Sequence, residues 1–185
     1  MNRRRSSTAT FLRPVVITAI ALVTIASTVS AGPPPDFRLQ DLDGNWVALG
    51  DYVGNDVVYV TFWATWCVPC RREMPHLQAL YEEFGDRGLT IIGVNTDPPG
   101  TTSKIKPYIR RYNISYPTLL DPDNNVLDKY NPTRELPYAV LVDRSGDVVQ
   151  IFPGYRAGDE KLLRDKVIAL LDDEPSDGAA AGATD

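Results

Sequence analysis

Tyr59-Val60-Thr61-Phe62-Trp63-Ala64-Thr65-Trp66-Cys67-Val68-Pro69-Cys70-Arg71-Arg72-Glu73-Met74-Pro75-His76 is the stretch that decides the fold. From Val57 to Trp63 the chain is apolar, β-branched and aromatic, long enough for a buried strand and too short for a helix. The only two cysteines, Cys67 and Cys70, follow Trp66 at once. From Val68 to about Phe84 apolar residues recur at helical spacing (Met74, Leu77, Leu80, Tyr81, Phe84), and Gly85 and Gly88 close the segment. Pro75 lies inside that pattern and predicts a kink. Leu89 to Val94 reads as a second buried strand. Strand, helix and strand in succession imply a parallel pair with a right-handed crossover, the core of an α/β domain.

A Cys-X-X-Cys pair at a strand-to-helix junction is the redox motif of the thioredoxin type. The spacing lets both sulfurs meet within one helical turn. The first cysteine then sits at the helix N-terminus, where unpaired N–H groups and the helix dipole stabilise a thiolate. Cys67 is therefore the expected nucleophile. Cys70, more shielded, resolves the mixed disulfide by attacking the Cys67 sulfur. Pro69 stiffens the turn and removes an N–H near Cys70.

Outward from this unit, Phe37 to Leu49 alternates about Asp43-Gly44 and predicts a β-hairpin preceding the main sheet. Asp97-Pro98-Pro99-Gly100 reads as a loop, with Thr101 or Thr102 capping a helix to about Tyr112. Residues 113–137 are less regular, with turn signals at Tyr116-Pro117 and Asp121-Pro122 and a short helix over Val126 to Tyr130. Tyr138 to Val142 and Val148 to Phe152 form a second, antiparallel hairpin. Asp159 to Leu171 is amphipathic and makes the last helix.

At 185 residues, 43% apolar and 23% charged, the chain has the length and make-up of one globular domain, so two cysteines are not needed as staples. Residues 1–31 have an export plan: Arg3, Arg4, Arg5 and Arg13, an apolar run from about Val15 to Val29, and small residues at Val29-Ser30-Ala31. They predict a signal peptide or a membrane anchor, and the missing cysteine after the run excludes a lipoprotein. Residues 32–35 form a Pro-rich spacer, 36–172 the domain, and 173–185 a disordered acidic and Ala/Gly-rich tail. Without residues 1–31 there remain 15 basic against 24 acidic residues, which argues against nucleic acid. An extracytoplasmic (periplasmic or secreted) location suits persistent disulfide chemistry.

The segment Trp63 to Pro75, together with Asp121 to Tyr130 and Leu136-Pro137-Tyr138-Ala139-Val140-Leu141-Val142-Asp143-Arg144-Ser145-Gly146, resembles the TlpA/ResA/CcmG branch of thioredoxin-like thiol-disulfide oxidoreductases. The resemblance runs from about Pro35 to Leu171. It implies a thioredoxin fold, a central mixed sheet flanked by helices, with an N-terminal β-hairpin and a central insertion. By position, Pro137 matches the family's cis-proline opposite the disulfide, and the backbone of Leu136 would pair with an extended substrate; a plainer role for Pro137 is to begin an edge strand. The resemblance further implies that Trp66 and Pro69 would shape the substrate-contact surface. Glu73 matches the acidic residue past the second cysteine and would relay the Cys70 proton, unless it is merely an exposed helix carboxylate. Thr61 stands where ordinary thioredoxins keep a buried aspartate. Trp63 reads as core and His76 as a surface residue.

The resemblance also implies protein thiol or disulfide substrates, apocytochrome c among them, a membrane-embedded electron donor, a monomer, and no cofactor beyond the Cys67–Cys70 disulfide. It favours the reducing direction, as in cytochrome c maturation; a DsbA-like thiol oxidase is the alternative. A copper-delivery protein would use the soft thiolates but lacks a distal histidine, and a structural zinc site lacks ligands. A thiol peroxidase would place Thr or Ser and Pro where Ala64 and Val60 stand.

Overall fold

In the computed structural model, which describes residues 32–173, the elements run β1 Arg38–Asp41, β2 Trp46–Ala48, β3 Val57–Trp63, α1 Val68–Phe84, β4 Leu89–Asn95, α2 Thr102–Arg111, β5 Thr118–Leu120, α3 Leu127–Tyr130, β6 Tyr138–Val142, β7 Val148–Pro153 and α4 Asp159–Asp172. The strands join one mixed sheet in the order β2-β1-β5-β4-β3-β6-β7. Residues 1–31, which carry the export reading, and the tail beyond Asp173 lie outside the described residues.

β3 and β4 pair in parallel from Val57↔Leu89 to Trp63↔Asn95, and every residue of both is buried. Central strands covered on both faces require such unbroken apolar runs. Because side chains alternate along a strand, β3 divides its residues between two cores. Tyr59 and Trp63 join Met74 and Leu77 of α1, Ile105 of α2 and Leu163 and Val167 of α4. Val58, Val60 and Phe62 face the other way, onto Phe37, Leu119 and the α3 residues Leu127 and Tyr130.

Three expectations change. The N-terminal hairpin does more than precede the sheet: β1 pairs antiparallel with β5, through Gln40↔Leu120 and Asp41↔Leu119, and extends it. Its partner β5 falls in the segment read as irregular. Three residues between two Pro-containing turns carry no period, and only pairing to β4 on one side and β1 on the other holds them extended. At α2, Thr101 occupies the N-cap, yet its hydroxyl donates to the Pro98 carbonyl at 2.6 Å instead of capping an amide. α1 continues through Pro75 to Phe84. Among the described residues no helix is long and apolar enough to cross a membrane.

The topology decides where the chemistry sits. β3 ends at Trp63, the turn 64–67 follows, and α1 begins at Val68. β6 runs antiparallel to β3 with Phe62↔Tyr138, so the start of β6, where Pro137 lies, sits at the same end of the sheet as the cysteines. The end of β4 reaches that edge too, through Trp63↔Asn95.

Candidate active site

Cys67 and Cys70 are joined by a disulfide, with an S–S distance of 2.03 Å and Cα atoms 5.4 Å apart. Cys67 is the N-cap of α1, in extended conformation, and its sulfur accepts the Cys70 N–H at 3.2 Å. The sulfur thus takes the place of a capping oxygen on one of the orphan amides at the helix start. That is the contact a Cys67 thiolate would use. Both cysteines are nearly buried, Cys67 at 3% and Cys70 at 1% exposure, while Trp66 is 64% and Val68 47% exposed beside them. Pro69 is exposed as well.

Glu73 is buried, not an exposed helix carboxylate. Three residues past Cys70 on α1, it points with Cys70 into the core shared with β3. Tyr59 donates its hydroxyl to Glu73 Oε1 at 2.8 Å, and Thr61 donates to Oε2 at 3.4 Å. Burial pushes the Glu73 pKa up to about 7, against the lowering effect of those two hydrogen bonds, and the Asp159 charge adds to the rise. Burial, then the Glu73 charge, holds the Tyr59 phenol well above its ordinary range, so it stays a donor. Beside Glu73 is a cavity of about 10 Å³, lined among others by Tyr59, His76, Tyr155, Asp159 and Glu160, which is about the size of one water. His76 is exposed and stacks on Tyr155, with ring centroids 6.2 Å apart.

The turn before Cys67 is fastened to the end of β4. Thr96 donates its amide to the Trp63 carbonyl at 2.9 Å. Asp97, 4% exposed, accepts the Thr65 amide on Oδ2 and the Thr65 hydroxyl on Oδ1, both at 2.9 Å. Its Oδ2 also accepts Asn95 Nδ2 at 2.8 Å, and its own N–H donates to Asn95 Oδ1 at 3.1 Å. Leu136–Pro137 is a cis peptide bond. Pro137 is buried and Leu136 half-buried, packed against both cores.

Tyr59 and Asp97 were not visible as site residues in the sequence. A period of two along β3 does put Tyr59, Thr61 and Trp63 on one face, and α1 is the helix most directly connected to it. Asp97 carries a weaker signal: it follows a parallel strand that neighbours the one bearing the motif, and the C-terminal edge of such strands is where sites gather. Among the described residues no group of three or more His, Cys, Asp and Glu side chains is placed to hold a metal ion.

The AhpC/TSA family profile matches residues 32–153. The chain belongs to the AhpC/TSA family. Within it, the thiol-disulfide oxidoreductase ResA of Halalkalibacterium halodurans is 38% identical over 119 residues, 64% of this chain and 65% of that protein, a little under two thirds of its length. The ResA of Bacillus subtilis is 32% identical over 142 residues, 77% of this chain and 76% of that protein. Among solved structures, the thioredoxin domain of a thiol-disulfide oxidoreductase from Bacteroides vulgatus aligns with a TM-score of 0.65 at 32% identity, covering 79% of this chain and all of that one. A thiol:disulfide interchange protein from a Bacteroides species gives 0.64 at 28% identity, covering 82% and 95%. This AhpC/TSA member thus has the thioredoxin-like fold and is a thiol-disulfide oxidoreductase of the ResA kind.

Proposed function

We propose that this oxidoreductase works outside the cytoplasm as a reductant of protein disulfides, with the cysteines of apocytochrome c as the leading substrate and a membrane-embedded donor regenerating the dithiol. The observation that carries this reading is the buried Glu73 carboxyl one turn beyond Cys70, hydrogen-bonded by Tyr59 and Thr61. The Cys67 thiolate attacks one sulfur of the substrate disulfide. The substrate S–S bond breaks, its second sulfur leaves as a thiolate, and a mixed disulfide forms. Cys70 gives its proton to Glu73 and attacks Cys67 Sγ, which restores the Cys67–Cys70 disulfide and releases the other substrate sulfur. Two electrons pass to the substrate; its two thiolates take up the Cys70 proton, by way of Glu73 and solvent, and one further proton from solvent.

A carboxyl near pH 7 is suited to that transfer, because it neither holds nor refuses the proton strongly at neutral pH. When ionised, it also disfavours a thiolate nearby, which favours the disulfide and a low reduction potential. The thiol-disulfide oxidoreductase names of the relatives support exchange at this cysteine pair, and the basic-then-apolar residues 1–31 support export or a membrane anchor. The exposed Trp66, Pro69 and Val68 would meet the substrate, with the Leu136 backbone pairing to an extended segment.

One observation favours the opposite direction, that of a DsbA-like oxidase: the Cys70 N–H on Cys67 Sγ stabilises a thiolate and thereby the reduced form. Trapping separates the substrates. A Cys70→Ala variant should accumulate mixed disulfides through Cys67 with exported proteins bearing Cys-X-X-Cys haem-attachment motifs. Recovery of newly exported folding proteins with reduced cysteines in their place would favour the oxidase.

A further inference from the structure

We propose that Asp97 is a positioning residue for Cys67: it fixes the turn that presents the nucleophile, and its charge disfavours the Cys67 thiolate, so that the disulfide form and the reducing direction are favoured. The inference rests on thiol-disulfide exchange at Cys67 and adds a control of direction that lies outside the cysteine motif and the Glu73 cluster.

Asp97 is a buried carboxylate that the exchange steps do not use. Its partners, the Thr65 N–H, the Thr65 hydroxyl and the Asn95 amide, are all donors, and none of them is charged. Among the described residues no cation forms an ion pair with it. The two carboxyl oxygens accept three hydrogen bonds from neutral donors, which disperse the negative charge of the side chain without cancelling it.

Thr65 is two residues before Cys67, so their Cα atoms are within about 7 Å. The carboxylate is therefore anchored to the segment that carries the nucleophile, two residues from it. Charged residues that follow the motif on α1 are Arg71, Arg72 and Glu73, and Arg134 and Glu135 precede β6, whose start lies at the same end of the sheet. Arg134 is engaged with Asp128, and Arg71 lies toward Tyr108 of α2. Helix N-terminus and arginines pull the Cys67 thiol toward ionisation. Asp97 opposes them.

Two substitutions separate charge from support. Asp97→Asn removes the charge and keeps an acceptor, whereas Thr65→Val keeps the charge and removes the hydroxyl that disperses it. Thiolate ultraviolet absorbance against pH, on the reduced protein, reads the Cys67 dissociation constant. The expected result is a rise of about three-fold or more in Asp97→Asn and a fall in Thr65→Val. Reduction potentials of wild type and Asp97→Asn should coincide at low pH, where both thiols are protonated, and separate above the pKa of the variant, with Asp97→Asn the less reducing.

Shifts in the same direction would mean that the turn had merely loosened, and they would overturn the proposal, as would unchanged dissociation constants. If Asp97→Asn does not fold, Thr65→Val decides: a fall supports the charge effect, and no change or a rise contradicts it. The wild-type potential tests the reductant reading separately. A high value there, with opposite shifts in the two variants, would sink that reading and leave the role of Asp97 standing.

Discussion

At Glu73 two effects oppose each other. Burial removes the carboxylate from water, and the hydrogen bonds from Tyr59 and Thr61 return part of what is lost. Burial wins, and the folded pKa of about 7 stands above the ordinary value of 4.5. Below the ordinary value the native and unfolded chains are both protonated. As the pH rises from there to about 7 the unfolded chain loses its proton first, so stability falls, and the loss is complete above the folded value. It amounts to about 3 kcal/mol. Glu73→Gln should abolish that fall, leaving the variant the more stable above pH 7 in urea unfolding; an unchanged pH slope would show that Glu73 is not the titrating group. Tyr59→Phe removes the stronger donor and should move the pH midpoint of disulfide-reduction activity upward by about one pH unit. A downward move would mean that Tyr59 does not stabilise the Glu73 carboxylate.

Elements that bury a face were legible, and elements held only by neighbours were not. β3, α1 and β4 carry unbroken or helical apolar patterns, and they appear where those patterns end. β5 has three residues and no period, so its existence follows from partners distant in sequence. The site divides the same way. Cys67, Cys70 and Glu73 are local to one motif, whereas Tyr59 reaches Glu73 across 14 residues and Asp97 reaches Thr65 across 32. Such hydrogen bonds depend on strand register, which a single sequence does not display. The insertion gives a test at this scale. Asp121 is buried and accepts the amides of Val126 and Leu127 at the start of α3, at 3.1 and 2.9 Å through Oδ2. Asp121→Ala should cost about 1–3 kcal/mol, because those amides stay buried. Chemical denaturation measures it, and a loss below about 0.5 kcal/mol would show that water replaces the cap.

For the molecule as a whole, the proposed direction of electron flow rests on a balance at one end of the sheet. The Cys70 N–H at the helix N-terminus would stabilise the Cys67 sulfur as an anion, and in the proposed reading the buried carboxyls of Asp97 and of ionised Glu73 oppose it. The helix contributes about 0.3–2 kcal/mol and acts on one sulfur. The proposed reductant role requires the carboxyls to outweigh the helix, which would favour the disulfide and a low reduction potential. Equilibrating the protein with dithiothreitol or glutathione buffers at neutral pH gives the reduction potential of Cys67–Cys70 directly. The predicted value lies near that of thioredoxin, roughly −270 mV, and a value near that of DsbA, roughly −120 mV, would contradict it.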